Sequence, residues 1–369
     1  MTNRLEFAHI LRGLAALIVV LFAHFGGVFF AAPSAVASLT FAPPLSGISL
    51  PSFFAWTQSH GINFGHLGVA LFFLISGFVI PFSLLHFTRT QFLIARFFRI
   101  WPTYVVGLSL TLIALVISTH YFGVPFPYTM EHIAYQATLI RDIVWMPSID
   151  GVSWTLEIEI KFYVISALLF AGVYRKMNIY WLLAFAFFSF VAILYTSGLI
   201  NQMSARMFQL TYILHMSLIF IVFMMIGVVF NFHHRQGISS LQLILSLSLL
   251  FTIFTMEWKY SVMKEGYMDG IKNYAYALGV FIIFYLLRLK IKTNKVLDFF
   301  ADISYPLYIA HPVVGYVVMR IFLDKYPING YYAILLAFTL SILSAYIIHI
   351  FIEKYSNQLG KKIAKRIAK

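Results

Sequence analysis

The sequence predicts an all-α bundle that crosses a membrane many times, and three observations carry the prediction. Of 369 residues, 61% are hydrophobic and only 11% charged, with a mean hydropathy of +0.86, a balance that no water-soluble domain of this length sustains. About ten windows of roughly 20 apolar residues follow one another along the chain, each long enough to cross a hydrocarbon core of roughly 30 Å. The loops between them carry Lys and Arg mainly on alternate sides, as the positive-inside rule requires.

The spans fall near 10–30, 64–86, 101–120, 152–174, 179–198, 210–232, 240–258, 271–289, 299–322 and 331–352. With a cytoplasmic N-terminus, the inner side holds Arg4, Arg89, Arg96, Arg99, Arg175, Lys176, Arg235, Arg288, Lys290, Lys292, Lys295 and the tail from Lys354 to Lys369. The outer side holds fewer: Arg141, Arg206, Lys259, Lys264, Lys272, Arg320 and Lys325. An even number of spans then places both termini in the cytoplasm. The net charge of +13 is therefore mostly a topology signal, reinforced by a tail suited to anionic lipid heads; no nucleic-acid partner is expected. Without cysteine there is no disulfide, thiolate nucleophile or thiolate metal site, and no metal is expected.

Segments 31–63 and 121–151 are outer loops, both long enough to fold back over a cavity, the second with a short helical piece over 131–140. There is no internal repeat and no appended soluble domain, so residues 1–369 read as one membrane domain. The first span also has the layout of a signal peptide, with Arg4 and Arg12 before an apolar run and Ala35-Val36-Ala37 after it. The motifs that follow favour a retained span.

Ionisable groups inside apolar spans are functional candidates, because burying a charge in hydrocarbon costs at least a few kcal/mol. The first span carries Arg12 and His24. The fourth opens Ser153-Trp154-Thr155-Leu156-Glu157-Ile158-Glu159-Ile160-Lys161-Phe162-Tyr163. Glu157 and Lys161 are four residues apart and can neutralise each other. Glu159 points about 160° away from Glu157, so it requires protonation or a cation or histidine from another span. Depth counting sets His24 roughly 10 Å from the outer end of its span and Glu159 roughly 8 Å below Trp154, with Arg12 about 18 Å from His24 along the axis. His24 and Glu159 are thus expected to meet.

Three further motifs complete the set. Gly65-His66-Leu67-Gly68-Val69-Ala70-Leu71-Phe72-Phe73-Leu74-Ile75-Ser76-Gly77-Phe78 opens the second span with small residues suited to close helix packing. Arg96-Phe97-Phe98-Arg99-Ile100-Trp101-Pro102 begins the third; its arginines share a helix face and suit either a multiply charged phosphate or a membrane anchor. His311-Pro312 sits inside the ninth span, where the histidine either lines a cavity or satisfies carbonyls freed by the proline. His215 and His349 read as structural, and His66, near the outer mouth, is a candidate contact for an acceptor.

In this order the motifs resemble the acyltransferase 3 family of integral membrane acyltransferases, and the resemblance covers nearly the whole chain. It includes Ile303-Ser304-Tyr305-Pro306-Leu307-Tyr308-Ile309-Ala310-His311-Pro312 and the closing Ile352-Glu353-Lys354. The resemblance implies transfer of an acyl group, expected to be acetyl, from cytoplasmic acyl-coenzyme A to a hydroxyl of an extracytoplasmic sugar or glycan. It implies His24 as catalytic histidine, Arg12 as its partner and Glu159 as the fourth-motif carboxylate. Arg96, Arg99 and Arg89 fall on the donor side, and His311, Trp154 and His66 toward the acceptor. The chemistry fits, since a neutral imidazole can take the proton of an attacking hydroxyl, with Glu159 orienting the ring. Direct transfer and an acyl-histidine intermediate are both compatible with these residues. A transporter or flippase of an acyl group or glycan, and acylation of a lipid, remain as alternatives; transporters more often show paired repeats.

Two departures stand out. Tyr355 occupies the place where the family's closing Ile-Glu-Lys is followed by proline. Eleven residues, Gly13 through Ala23, separate Arg12 from His24, where the family usually has ten. Twelve helical steps leave the two side chains about 120° apart, whereas eleven return to within about 20°. A π-bulge in the first helix is predicted, because it adds one residue without turning the face beyond it.

Overall fold

The computed structural model describes residues 5–326 and 329–367; Arg4 and Lys369 lie outside them. Every regular element among the described residues is helical. Numbered in chain order, the helices are α1 (Glu6–Ala31), α2 (Pro33–Thr40), α3 (Ser52–Ser59), α4 (Phe64–His86), α5 (Arg89–Phe122), α6 (Met130–Thr138), α7 (Ser153–Leu168), α8 (Ile179–Gln202), α9 (Ala205–His234), α10 (Ser240–Lys259), α11 (Tyr267–Leu286), α12 (Lys295–Lys325) and α13 (Gly330–Arg366). Several begin where the sequence offers a side-chain acceptor for the orphan first-turn amides: Asn63, Thr88, Ser204, Ser239, Asn294 and Asn329 cap α4, α5, α9, α10, α12 and α13.

Eight of these helices are long and apolar enough to cross a membrane, against about ten expected spans. The other two expected spans exist as helices but are shorter or more polar. Helix α7 has 16 residues and carries Glu157, Glu159 and Lys161, while α11 holds Asp269, Lys272 and Asn273 in its first two turns. Protein encloses one polar side chain of each: Glu157 is 3% exposed and Asn273 is fully buried.

The predicted irregularity in α1 is present and extends beyond a single turn. Residues Ile18–Val28 form a π-helical stretch inside the otherwise α-helical α1, so the chain absorbs the surplus between Arg12 and His24 by widening its turns. At Gly27 an added Cβ would lie 2.7 Å from the carbonyl oxygen of Phe22, five residues back, a direct mark of the widened geometry. Helix α3 covers the stretch: the Phe54 ring packs against Gly26, and the Gln58 side-chain amide donates to the Gly26 carbonyl. The loop expected to fold back over a cavity does so through this helix.

Two close crossings set the rest of the bundle. Gly77 of α4 meets Gly227 of α9, with Asn231 Nδ2 donating to the Phe78 carbonyl at 2.8 Å. The start of α7 is clamped to the middle of α5: Asp150 Oδ1 accepts from the amides of Val152 and Ser153, and Asp150 Oδ2 from the Tyr104 hydroxyl at 2.9 Å. Gln136 of α6 joins the same buried network. The second loop thus folds into the bundle, and α7 starts beside Tyr104, near the midpoint of the 34-residue α5, instead of at a membrane surface.

The Gly77 crossing has a measurable consequence. A Cβ there would sit 1.9 Å from the Met224 carbonyl oxygen, so Gly77→Ala is expected to destabilise by about 1–3 kcal/mol through overpacking. Gly198→Ala, with nothing within 4 Å, is expected to be neutral or to stabilise by up to about 1 kcal/mol. Thermal melts of the purified protein distinguish the two.

Candidate active site

Helix α12 serves as a ruler for the site, because partners from three other helices meet it in order. Arg12 donates from Nη2 to the Ala301 carbonyl at 2.9 Å. The Tyr305 hydroxyl donates to the Ile100 carbonyl of α5, and Tyr308 Oη is 3.0 Å from Thr155 Oγ1 of α7. His311 lies with its ring centroid 4.7 Å from that of His24, and Tyr316 Oη is hydrogen bonded to His24 Nδ1 at 2.8 Å. Ala301 and Tyr316 are about 22 Å apart along the axis. Both Arg12 and His24 therefore face α12, which is the outcome the π-helical stretch makes possible.

Two chambers lie along this ruler. The Arg12 cavity, of about 80 Å³, is lined by Arg12, Ser76, Arg99, Glu159, Tyr163, Ser304, Tyr305 and Tyr308, with Phe72 and Phe73. The His24 pocket, of about 380 Å³, is lined by His24, Gln58, Asn63 and Asp269 among small and apolar residues. Between them stand Phe72, packed against Tyr308 with centroids 5.3 Å apart, and the turn Tyr308–His311.

The expected meeting of Glu159 with His24 does not occur. Glu159 belongs to the Arg12 cavity and accepts from Ser76 Oγ at 2.7 Å and from Tyr163 Oη at 2.5 Å; the partner holding the His24 ring is Tyr316. Depth counting failed because it assumed that α7 starts at the membrane surface, whereas the Asp150–Tyr104 clamp starts it deeper. The expected Glu157–Lys161 pair is also replaced. Arg141 Nη2 binds Glu157 at 2.8 Å and Lys161 binds Asp142 at 2.5 Å, because the second loop brings a cation and a carboxylate of its own.

The arginines divide as well. Arg99 lines the Arg12 cavity. Arg96 is buried, donates to Ser83 Oγ and stacks over the rings of Phe92 and Tyr163 at 5.3 and 5.4 Å, so it braces the tyrosine that holds Glu159. Arg89 lies apart, with His86 and Arg175 around a separate recess of about 360 Å³.

On the other side, His66 stands 3.5 Å from Asp269, and it is Asp269 that lines the His24 pocket. Trp154 packs edge-on to Phe73 and tilted against Phe220, and lines a different cavity. His311 is wholly buried and donates from Nδ1 to the carbonyls of Leu307 and Tyr308 at 3.0 and 2.8 Å. The Tyr308 carbonyl is the one that Pro312, four residues on, leaves without an amide. Since carbonyls only accept, Nδ1 carries the proton and a neutral His311 presents a bare Nε2, which has no partner in the described structure.

Sequence reasoning missed Tyr316, Tyr308, Ser76 and Asp269. The stripe Ala301, Tyr305, Tyr308, Pro312, Tyr316 keeps a three-to-four-residue spacing and was the available signal. No cluster of three or more His, Asp or Glu side chains among the described residues is set to hold a metal ion.

A family model described as an acyltransferase domain, Acyl_transf_3, matches residues 5–353. The chain belongs to the acyltransferase 3 family. No curated protein and no solved structure matches it. Membership joined to eight apolar membrane-length helices makes it an integral membrane acyltransferase, and both chambers lie within the matched residues.

Glu159 accepts two hydrogen bonds in a cavity shared with two arginines, so its removal leaves buried donors without an acceptor. Glu159→Ala is expected to destabilise the protein by about 1–3 kcal/mol and Glu159→Gln, which retains an acceptor oxygen, by less, read as midpoint shifts in thermal melts.

Proposed function

We propose that this acyltransferase moves an acyl group, expected to be acetyl, from cytoplasmic acyl-coenzyme A to a hydroxyl of an extracytoplasmic sugar or glycan, with His24 as general base. The observation that carries the reading is the placement of His24 at the wall of a pocket that also holds Gln58, Asn63 and Asp269, about one helical turn of α12 from a cavity holding Arg12 and Arg99. Donor and acceptor can then approach the histidine from opposite ends of the bundle.

The arginine-bearing turns at the ends of α4, α7, α9 and α11 suit the phosphates of the donor, with Arg89, His86 and Arg175 as one cluster and Arg99 deeper. The Arg12 cavity has room for two or three waters, so the thin acyl-pantetheine arm enters only when its walls part. Phe72 and Tyr308 form the partition that the arm must pass. The His24 pocket lies within the size range of small-ligand sites, roughly 300–1,000 Å³, and Gln58, Asn63 and Asp269 supply hydrogen-bond partners for a sugar.

In the transfer, Nδ1–H of His24 donates to Tyr316 Oη, which leaves Nε2 to take the proton of the acceptor hydroxyl. The hydroxyl oxygen attacks the thioester carbonyl carbon, the carbon–sulfur bond breaks, and the proton passes from the imidazolium to the departing thiolate. The bare Nε2 of His311 lies beside this path as a second acceptor in an otherwise apolar turn. Arg12 and Arg99 offset negative charge at the approach of the donor.

Membranes containing the protein, given labelled acetyl-coenzyme A and a bacterial surface-glycan extract, test the reading. His24→Ala is expected to lower transfer by about 10²–10⁴-fold without loss of donor binding, and Tyr316→Phe by a smaller factor. Arg99→Ala is expected to raise the KM for donor more than it lowers kcat. Undiminished transfer by His24→Ala rejects the mechanism, and donor binding without transfer by the wild type favours a transporter.

A further inference from the structure

A further cavity, of about 490 Å³, lies between the second loop, α7 and α9, on the face of α7 turned away from Glu159. Its lining differs in kind from the two chambers on α12. Trp145, Trp154, Phe208 and Tyr212 supply aromatic faces, and Arg141, Asp142 and Glu157 supply charged groups.

The charged groups are fixed yet incompletely used. Arg141 donates to the Met146 carbonyl and to Glu157, both at 2.8 Å, and Asp142 holds Lys161. Each pair leaves capacity over: Arg141 Nε, Asp142 Oδ1 and Glu157 Oε1 have no partner in the described structure. Buried polar atoms are normally satisfied, and exceptions ask for an explanation. One donor and two acceptors beside aromatic faces match a sugar ring, whose hydroxyls both give and accept while its C–H face packs on an indole.

Trp145 adds a second, independent observation. Its backbone sits at φ 59, in the left-handed region that a bulky residue rarely adopts and that costs strain. Its ring stands edge-on to Tyr212, centroids 5.4 Å apart, and is 41% exposed. The loop accepts an unfavourable conformation and places a large aromatic at the mouth of the cavity.

We infer that this cavity is a sugar-binding site, separate from the His24 pocket, that takes one or two pyranose rings presented free or as a lipid head group. It extends the glycan-acceptor reading to a second place on the protein. Its test reads binding alone, so it can fail while transfer at His24 stands, and the reverse.

The experiment uses the full chain in nanodiscs prepared without sugar detergents. Saturation-transfer NMR follows the ring C–H protons of maltose, lactose and diacetylchitobiose. Transfer to at least one disaccharide is expected from the wild type, reduced about tenfold or more by Trp145→Gly, diminished by Glu157→Gln and unchanged by Gly198→Ala, which adds a methyl group where nothing lies within 4 Å. Trp145→Gly relieves the left-handed backbone, so its thermal midpoint should not fall. A second arm adds a galactosyl diacylglycerol to the disc: suppression of the free-sugar signal identifies a head-group site, and an unaltered signal identifies a site for soluble glycan. Absence of transfer to all three disaccharides from the wild type, or equal transfer from a folded Trp145→Gly protein, overturns the proposal.

Discussion

The contact of α1 with α12 is the constraint on which the site depends. Arg12 bonds the Ala301 carbonyl near one end and His24 meets Tyr316 near the other, so one helix face must be held over about 18 Å. A regular α-helix with eleven intervening residues cannot hold it, because the second side chain would be turned about 120° away. The stretch Ile18–Val28 resolves the conflict by adopting π geometry. Widened turns weaken regular backbone bonding and are uncommon outside functional places, and here α3 lies over the stretch with Gln58 on the Gly26 carbonyl.

From that contact the two chambers follow. Backbone acceptors in the interior of α12 are used by side chains: the Tyr308 carbonyl, freed by Pro312, by His311, and the Ala301 carbonyl by Arg12 and Ser304. Buried polar groups thereby sit on a continuous helix without open backbone, which is the condition for polar chemistry at membrane depth. The Arg12 cavity collects two arginines and one carboxylate, the carboxylate held by Ser76 and by a tyrosine that Arg96 braces. The His24 pocket is neutral apart from Asp269. Such a division suits an anionic donor on one side of the partition and an uncharged hydroxyl on the other.

Much of this was legible in the sequence. The helical class, the order of elements and the ends of α4 and α10 followed from hydropathy, and the count between Arg12 and His24, set against the ten residues usual in the family, predicted the irregular turn. What escaped depended on contacts between distant segments. The depth of α7 is set by Asp150 reaching Tyr104, forty-six positions away, and no local pattern announces that. The roles of Arg96 and Arg99 look equal by spacing, yet one lies under Tyr163 and the other faces the cavity. Tyr316 was lost among the many aromatic residues of an apolar span, where a single hydroxyl gives no hydropathy signal.

The most direct test changes the length of the α1 stretch. Deleting Val20 leaves ten residues between Arg12 and His24, the number with which a regular α-helix brings both to within about 20° of one face; inserting one alanine after Val20 leaves twelve. Acyl transfer in membranes, normalised to folded protein, is expected to survive the deletion within about tenfold and to be lost on the insertion, which turns His24 a further ~100° from α12. Equal loss in both variants, or transfer retained by the insertion, contradicts the account.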